Sequence, residues 1–509
     1  MPAATTTAKP NILLITSDQQ HWFTLGHDNP RIHTPNLDRL AAMGTQFDRA
    51  YCPNPVCTPS RSSILTGQYP SLHGAWTIGV KLAEDVPTVG DSLRANGYHT
   101  TLIGKAHFQP LASTPEQTSL ECQPTLRDLD FWRGFAGPWY GFDHIEVARN
   151  HADEALVGQH YAIWMEDKGL ANWQQYFVKW PAEPAGPIRY GAWDLPEEFH
   201  YTTWTAERTI AAIERDVAAG TPFFTWSSFH DPHPPYLVPE PWASMYDPAD
   251  MDPGTLLPGE LDLMPEHHRL TQVERGDFSR WMDDNGHANH GFHDHRVSDA
   301  QLRQDMAIYY GMISFMDQQI GRILDRLEDL GMLERTLIVF TTDHGHFLGQ
   351  HGLTAKGAFH YEDLIRLPFL VAGPGVPAGR RTNAIQSLVD LAPTFLEASG
   401  IPIPGIMQGV SQLDVWQGRA GSARDWAIVE NRHQPTRLTV RTYVEQQYKA
   451  TIYRNGDAGE LFDLANDPDE RCNRWDDPAY AAIRSGLLHR WLQAELAREP
   501  TRYPRIAHA

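Results

Sequence analysis

The sequence predicts an α/β protein in which a large, mainly parallel sheet lies between layers of helices. Three observations carry this. Short apolar runs recur along the chain, helical patterns stand between them, and each run ends abruptly in chemically capable residues. The runs are NILLITSDQQ from residue 11, HTTLIGKAH from 99, PFFTWSSFHDPH from 222, TLIVFTTDHGH from 336 and LPFLVAGPG from 367. Unbroken apolar runs of this length are what strands buried on both faces look like.

The helical patterns are NLDRLAAMG, VGDSLRANG, TAERTIAAIERDVAAG and MISFMDQQIGRILDRLEDLGM. DSLRANG and ILDRLEDLG close on a glycine, the usual helix C-terminal signal. Strand and helix alternating in this way give a parallel sheet sandwiched by helices. From about residue 425 the character changes. WAIVEN, RLTVRTYVEQQYKATIYRNG and GELFDL read as short antiparallel strands with an Asn-Gly turn, and YAAIRSGLLHRWLQAELAR as a closing helix. The expected division is therefore 1–424, a catalytic α/β domain, and 425–509, a small α+β subdomain. Residues 120–200 and 237–300, rich in Trp, Pro and Gly, read as long insertions over the sheet. Within them GHANHGFHDH, with His287, His290, His293 and His295, reads as a polar loop rather than a second metal site, because nothing between the histidines gives a rigid frame.

Bulk properties narrow the function. The 509 residues are 41% hydrophobic and 21% charged, an ordinary globular composition. Against 42 basic side chains stand 63 acidic ones, a net charge of −21, which argues against nucleic acid or an anionic membrane as the main partner. An anionic substrate would need a local cluster of positive groups. The four cysteines, Cys52, Cys57, Cys122 and Cys472, follow no disulfide or zinc spacing. No stretch has the length to span a bilayer, and NILLIT is too short for the core of a signal peptide. These features give the expectation of a cytoplasmic protein. They leave a homo-oligomer open.

In parallel sheets, ligands bind beyond the carboxyl ends of the strands. Asp18 and Gln19, Lys105 and His107, His230, Asp231 and His233, and Asp343, His344 and His346 all stand at such ends, so they can converge although far apart in sequence. Into this setting comes PVCTPSRSSILTG, residues 55–67. Its CTPSR matches the C-x-P-S-R signature of type I sulfatases. PNILLITSDQ, GKAH at 104–107, the PHPP around His233, TTDHG at 341–345, Lys356 in TAKGAFHYEDLIRLP and the closing GELFDLANDPDE follow in that family's order. The chain thus resembles the formylglycine-dependent sulfatases of the alkaline phosphatase superfamily over nearly its whole length, with the middle insertions least covered.

The resemblance implies an alkaline phosphatase-like sandwich and hydrolysis of aryl or alkyl sulfate esters. It implies that a formylglycine-generating enzyme oxidises Cys57 to Cα-formylglycine (3-oxoalanine), whose hydrated gem-diol attacks sulfur and gives a covalent sulfo-enzyme. The alternative for Cys57 is a small buried apolar residue. Asp18, Gln19, Asp343 and His344, with residue 57 itself, match the family's positions for one divalent metal ion. Oxygen donors favour Ca2+, and an imidazole nitrogen shifts the preference toward Mn2+. By the same resemblance Arg61 holds the hydrated aldehyde, and Lys105 and Lys356 bind the sulfuryl oxygens. His107 takes the diol proton, and His233 binds or protonates the leaving oxygen. His230 and His346 match no family position. For Lys105, the alternative is a solvated surface lysine.

Gln19 and His344 stand where many sulfatases have Asp and Asn. That pair resembles the choline sulfatase and phosphonate monoester hydrolase branches and keeps a phosphonate monoester or phosphodiester hydrolase as the alternative function. The latter branch lacks the Lys and His of G-K-x-H, which this chain has at 105 and 107. A non-catalytic binding protein on the same scaffold is the third class, disfavoured by the intact polar set. The alcohol or aryl part of the substrate is not legible.

Overall fold

The structure, a computed structural model, describes residues 9–179, 189–282, 291–292, 295–432, 437–501 and 505–507. Its centre is an eight-stranded sheet. The strands are β1 (Asn11–Ser17), β2 (Thr45–Phe47), β3 (His99–Lys105), β4 (His144–Ala148), β5 (Phe223–Ser228), β6 (Thr336–Thr342), β7 (Phe369–Ala372) and β8 (Arg380–Thr382). They lie in the order β8-β2-β7-β6-β1-β5-β3-β4. Pairing is parallel from β6 through β4, and β7 runs against both of its neighbours.

The apolar runs form the central strands because both faces are covered. Ile12 and Leu14 of β1 join one core cluster, with Leu102, Trp226, Val339 and the helix residues Leu93 and Phe395. Leu13 and Ile15 join the other, with Ile338, Phe340 and residues Ile213, Ile320 and Leu324 of two long helices. Successive residues of a strand face opposite ways, so one run feeds two cores. The helix Tyr201–Ala219 ends on left-handed Gly220. The other, Asp299–Asp329, begins thirteen residues before the MISF pattern, with the Ser298 hydroxyl accepting from Gln301 N at its start.

The insertion expected over 120–200 differs from the structure in one respect. Its residues 144–148 are β4, the edge strand of the main sheet beside β3. Only one side of β4 has a strand neighbour, and its burial alternates, so HIEVA shows no continuous apolar run. Beyond residue 425, four strands, Ala427–Arg432, Thr439–Val444, Tyr448–Tyr453 and Gly459–Asp463, form the expected antiparallel sheet, with the helix Ala481–Ala497 against it. Val429, Val440 and Phe462 belong to the same core cluster as Ile64 and Leu65 of the Cys57 helix, so the C-terminal sheet packs as part of the main body. His287, His290 and His293 lie outside the described residues, whereas His295 is buried and bonds to Gly291 O at 2.8 Å and to Thr354 N at 3.1 Å. Among the described residues no helix is long and apolar enough to cross a membrane.

Candidate active site

The register of the sheet aligns the strand ends. Ser17 pairs with Thr342, Thr16 with Ser228, Gly104 with Ser228 and Lys105 with Ala148. The residues that follow, at 18, 343, 229–233, 105–107 and 149–151, therefore emerge side by side at the carboxyl edge. Gly104 is needed for this. It sits at φ +104°, and a Cβ there would lie 1.9 Å from the carbonyl oxygen of Ser228.

The helix Cys57–Thr66, buried along its whole length, points its N-terminus into this edge, with Cys57 as its first residue. Around the Cys57 sulfur the side chains close in. His344 Nε2 lies at 3.2 Å, Lys356 Nζ at 3.3 Å, Lys105 Nζ at 3.6 Å and Asp18 Oδ1 at 3.7 Å. Burial pushes the thiol up, but Lys105 and Lys356 overcome this and bring it down to about 6. The same ammonium of Lys105 bonds to Asp18 and, against the effect of burial, holds that carboxyl well below its usual range.

One group of ligand atoms, from Asp18, Cys57, Asp343 and His344, lies within 4.8 Å of one another. Its chemistry fits a divalent cation. His344 Nδ1–H donates to Gly345 O at 3.0 Å, which leaves the Nε2 lone pair facing the cluster. Gln19, in the left-handed region at φ 64°, donates from Nε2 to His346 Nδ1 at 2.8 Å, and its Oε1 is buried without a partner. A buried carbonyl-type oxygen with nothing to accept is a ready metal ligand. His346 is in turn bonded to the Tyr236 hydroxyl at 2.9 Å, so it orients the Gln19 amide.

The donors of Arg61 reach three strand ends. Its Nε donates to Asp343 Oδ2 at 2.9 Å, and its Nη1 to Ser228 Oγ at 2.6 Å and Lys105 O at 3.0 Å. The fork thus ties the Cys57 helix to three strand ends and orients a metal-type carboxylate. Its Nη2 is buried without a partner. His107, also left-handed at φ 57°, is held by Glu121, whose carboxylate accepts from the backbone amides of residues 107, 108 and 109. Arg149 Nη2 donates to His107 Nε2 at 2.9 Å, so the proton of the neutral ring lies on Nδ1. Burial first, then Arg149 and Lys105, hold His107 well below its usual value. His233 donates from Nδ1 to Pro234 O at 2.5 Å and turns Nε2 to Lys356 Nζ at 3.2 Å. His230 donates to Ala148 O at 3.0 Å and stands behind the site.

Sequence reasoning missed Arg149, His151, Glu154 and Glu121. His151 Nε2 lies 2.8 Å from Lys105 Nζ, and its ring stacks on His233 at 3.8 Å. The signal was present in HIEVARNHADE, an apolar strand ending in polar residues like the others. Its alternating, half-covered strand concealed it.

A family model described as "Sulfatase" matches residues 10–401, and a second, for the C-terminal part of N-sulphoglucosamine sulphohydrolase, matches 349–497. The chain belongs to the sulfatase family. It is a hydrolase of the sulfatase kind, with curated relatives along nearly its whole length. An arylsulfatase of Clostridium perfringens is 29% identical, over 93% of this chain and 91% of its own. A choline-sulfatase of Rhizobium meliloti is 25% identical, over 98% and 93%. Among solved structures, a phosphonate monoester hydrolase from Silicibacter pomeroyi superposes with a TM-score of 0.78, at 25% identity over 97% of this sulfatase and 96% of its own chain. The site described above thus sits in a sulfatase with an alkaline phosphatase-like fold.

Proposed function

We propose that this sulfatase hydrolyses aryl or alkyl sulfate esters at residue 57, carried as Cα-formylglycine after oxidation of Cys57 by a formylglycine-generating enzyme. The observation that supports this most is the convergence of Lys105 Nζ and Lys356 Nζ on the Cys57 sulfur, at 3.6 and 3.3 Å, beside the ligand cluster. The sulfur marks where the reactive oxygen of the hydrated aldehyde stands. That hydrate supplies one oxygen to attack sulfur, and a second hydroxyl whose loss of a proton restores the aldehyde and releases sulfate. Asp18, Gln19, Asp343, His344 and residue 57 would hold a divalent cation, Ca2+ in first place and Mn2+ in second, which would supply Lewis acidity at this oxygen.

The chain's own groups do the rest. Lys105 and Lys356 bind the negative sulfuryl oxygens, and the N-terminus of the Cys57 helix adds a positive field. Arg61 aims the Asp343 carboxylate through its Nε bond to Oδ2. His233 Nε2 lies on the part-exposed side with Lys356 and gives a proton to the departing ester oxygen only when the ring is protonated on both nitrogens. Burial first, then His151 and Lys356, oppose that protonation. His107 takes the diol proton in the second step. Only its Nδ1 is open, so this role requires Arg149 to release Nε2. The four cysteines are unpaired in the structure, which supports a cytoplasmic setting.

A second reading, phosphonate monoester or phosphodiester hydrolysis at the same residue, is favoured by the solved likeness and by the Gln19–His344 pair. A kinetic panel of aryl sulfate, alkyl sulfate, phosphonate monoester and phosphodiester on fully formylated enzyme separates the two. Higher kcat/KM on a sulfate ester is expected. Higher kcat/KM on either phosphorus ester would replace the first reading by the second.

A further inference from the structure

We propose that Glu154 and His151 form a positioning pair that aims the Lys105 ammonium at the reacting atom of residue 57 and fixes the ring plane of His233. The inference rests on the sulfuryl-transfer reading of the site and adds two residues to it. Both lie on the segment that leaves β4, where sequence patterns showed no strand end.

The geometry builds from the carboxylate outward. Glu154 Oε2 accepts from His151 N at 2.9 Å and sits 3.0 Å from His151 Nδ1. A carboxylate can only accept there, so Nδ1 carries the proton and Nε2 presents a lone pair. That lone pair meets Lys105 Nζ at 2.8 Å. An ammonium has three donors. Those of Lys105 go to His151 Nε2, to Asp18 Oδ2 and to Cys57 Sγ. Two acceptors on fixed elements thus determine where the third proton points, and it points at residue 57. Remove His151, and the buried ammonium loses one of the two seats that define its direction.

The same ring braces the other half of the site. His151 and His233 stack with centroids 3.8 Å apart and planes 17° apart, and His230 stands edge-on to His151 at 6.2 Å. His233 Nε2 lies 3.2 Å from Lys356 Nζ, which is itself 3.3 Å from Cys57 Sγ. One histidine, tethered to Glu154 by its ring and by its backbone amide, therefore sets both the cation on one side of the reacting atom and the histidine on the other. An error of about 1 Å in such placement costs on the order of a hundredfold in rate.

The test compares formylated wild type with Glu154→Gln, Glu154→Ala, His151→Ala, His151→Phe and the Glu154→Ala/His151→Ala double variant. Inorganic sulfate binding is measured by calorimetry, and kcat and KM with nitrophenyl and alkyl sulfates. Glu154→Ala is expected to weaken sulfate binding and kcat/KM by about 10- to 100-fold, the usual effect of losing a partner that orients a reacting group. Glu154→Gln should recover most of this, because an amide oxygen accepts the same N–H bond. The double variant should be no worse than His151→Ala alone. His151→Ala should lose more on the alkyl ester than on the nitrophenyl ester, whereas His151→Phe, which keeps a ring against His233, should lose equally on both. Glu154→Ala within about twofold of wild type, Gln no better than Ala, or additive losses would each overturn the pair. Should Glu154→Ala not fold, the two His151 variants decide by their sulfate affinity and ester dependence. A wild type that hydrolyses only phosphorus esters refutes the substrate reading instead, and phosphate titration of the same variants then decides the pair.

Discussion

At Cys57 two effects of opposite sign meet: burial raises the thiol, and two lysines lower it further than burial raises it. The same lysines that would stabilise a thiolate would also stabilise sulfuryl oxygens, which is why the environment suits a modified residue that handles an anion. Beside it, His344 and His233 each commit Nδ1 to a backbone carbonyl, and the remaining nitrogen defines what each can do. His344 turns its lone pair to the ligand cluster, and His233 turns Nε2 toward Lys356. If His233 protonates the departing oxygen, its importance depends on how poor the leaving group is. His233→Ala should therefore slow alkyl sulfates by about 100-fold or more while nitrophenyl sulfate, which leaves unaided, loses much less. Equal losses across a leaving-group series would reduce His233 to a sulfuryl binder. His107→Ala and His107→Asn should both stall the second step and accumulate sulfated protein, visible by intact mass in single-turnover experiments. An active His107→Asn would mean that only an N–H donor at the Nδ1 position is needed.

At the scale of elements, the Cys57 helix is held by Arg61, which reaches Asp343, Ser228 and the carbonyl of Lys105. Arg61→Lys keeps a charge but not the planar fork that spans three strand ends. Breaking one side of a buried ion pair costs about 3–5 kcal/mol, so Arg61→Ala should unfold at clearly lower denaturant, and Arg61→Lys should lose metal and turnover together. Elemental analysis that finds full metal content in both variants would show that Arg61 does not organise the cluster. The sequence made much of this scale legible. Strands β1, β3, β5 and β6 are buried on both faces, and their polar ends put Asp18, Lys105, His233 and Asp343 at one edge. Edge strand β4 was not legible, because an edge is half covered and its pattern alternates, and with it went Arg149, His151 and Glu154. The acceptors of Arg61 were not legible either. A motif states that an arginine stands one turn past the cysteine, but only the packed sheet shows which acceptors it finds there.

The whole molecule adds a constraint on pH. Burial holds three histidines away from the binding clusters far below their ordinary value: His73 at about 3, His160 at about 4 and His200 at about 3. Unfolding exposes them to water, where they take a proton below about pH 6.5. In the folded chain they remain neutral until the lower values. Protons therefore bind the unfolded state preferentially, and stability is lost as pH falls from about 6.5 toward 3. For His73 and His200 each this amounts to roughly 3 kcal/mol by about pH 4. His200 Nδ1 accepts from Thr202 N at the start of the helix Tyr201–Ala219. His200→Asn keeps such an acceptor and removes the titration, so its urea midpoint should fall less steeply with acid than that of wild type. Parallel acid limbs would show that His200 does not contribute. The C-terminal sheet belongs to this scale too, since Asn54, just ahead of Cys57, donates to Glu430 O at 2.6 Å.

All three scales meet at residue 57, and the most direct measurement is made there. The protein is expressed with graded amounts of a formylglycine-generating enzyme, the peptide containing residue 57 is quantified by mass spectrometry, and sulfate ester hydrolysis is measured on the same samples. The account predicts that the cysteine CH2SH group is replaced by an aldehyde, and that turnover rises in proportion to the modified fraction. Full activity in protein whose Cys57 remains a thiol would contradict it.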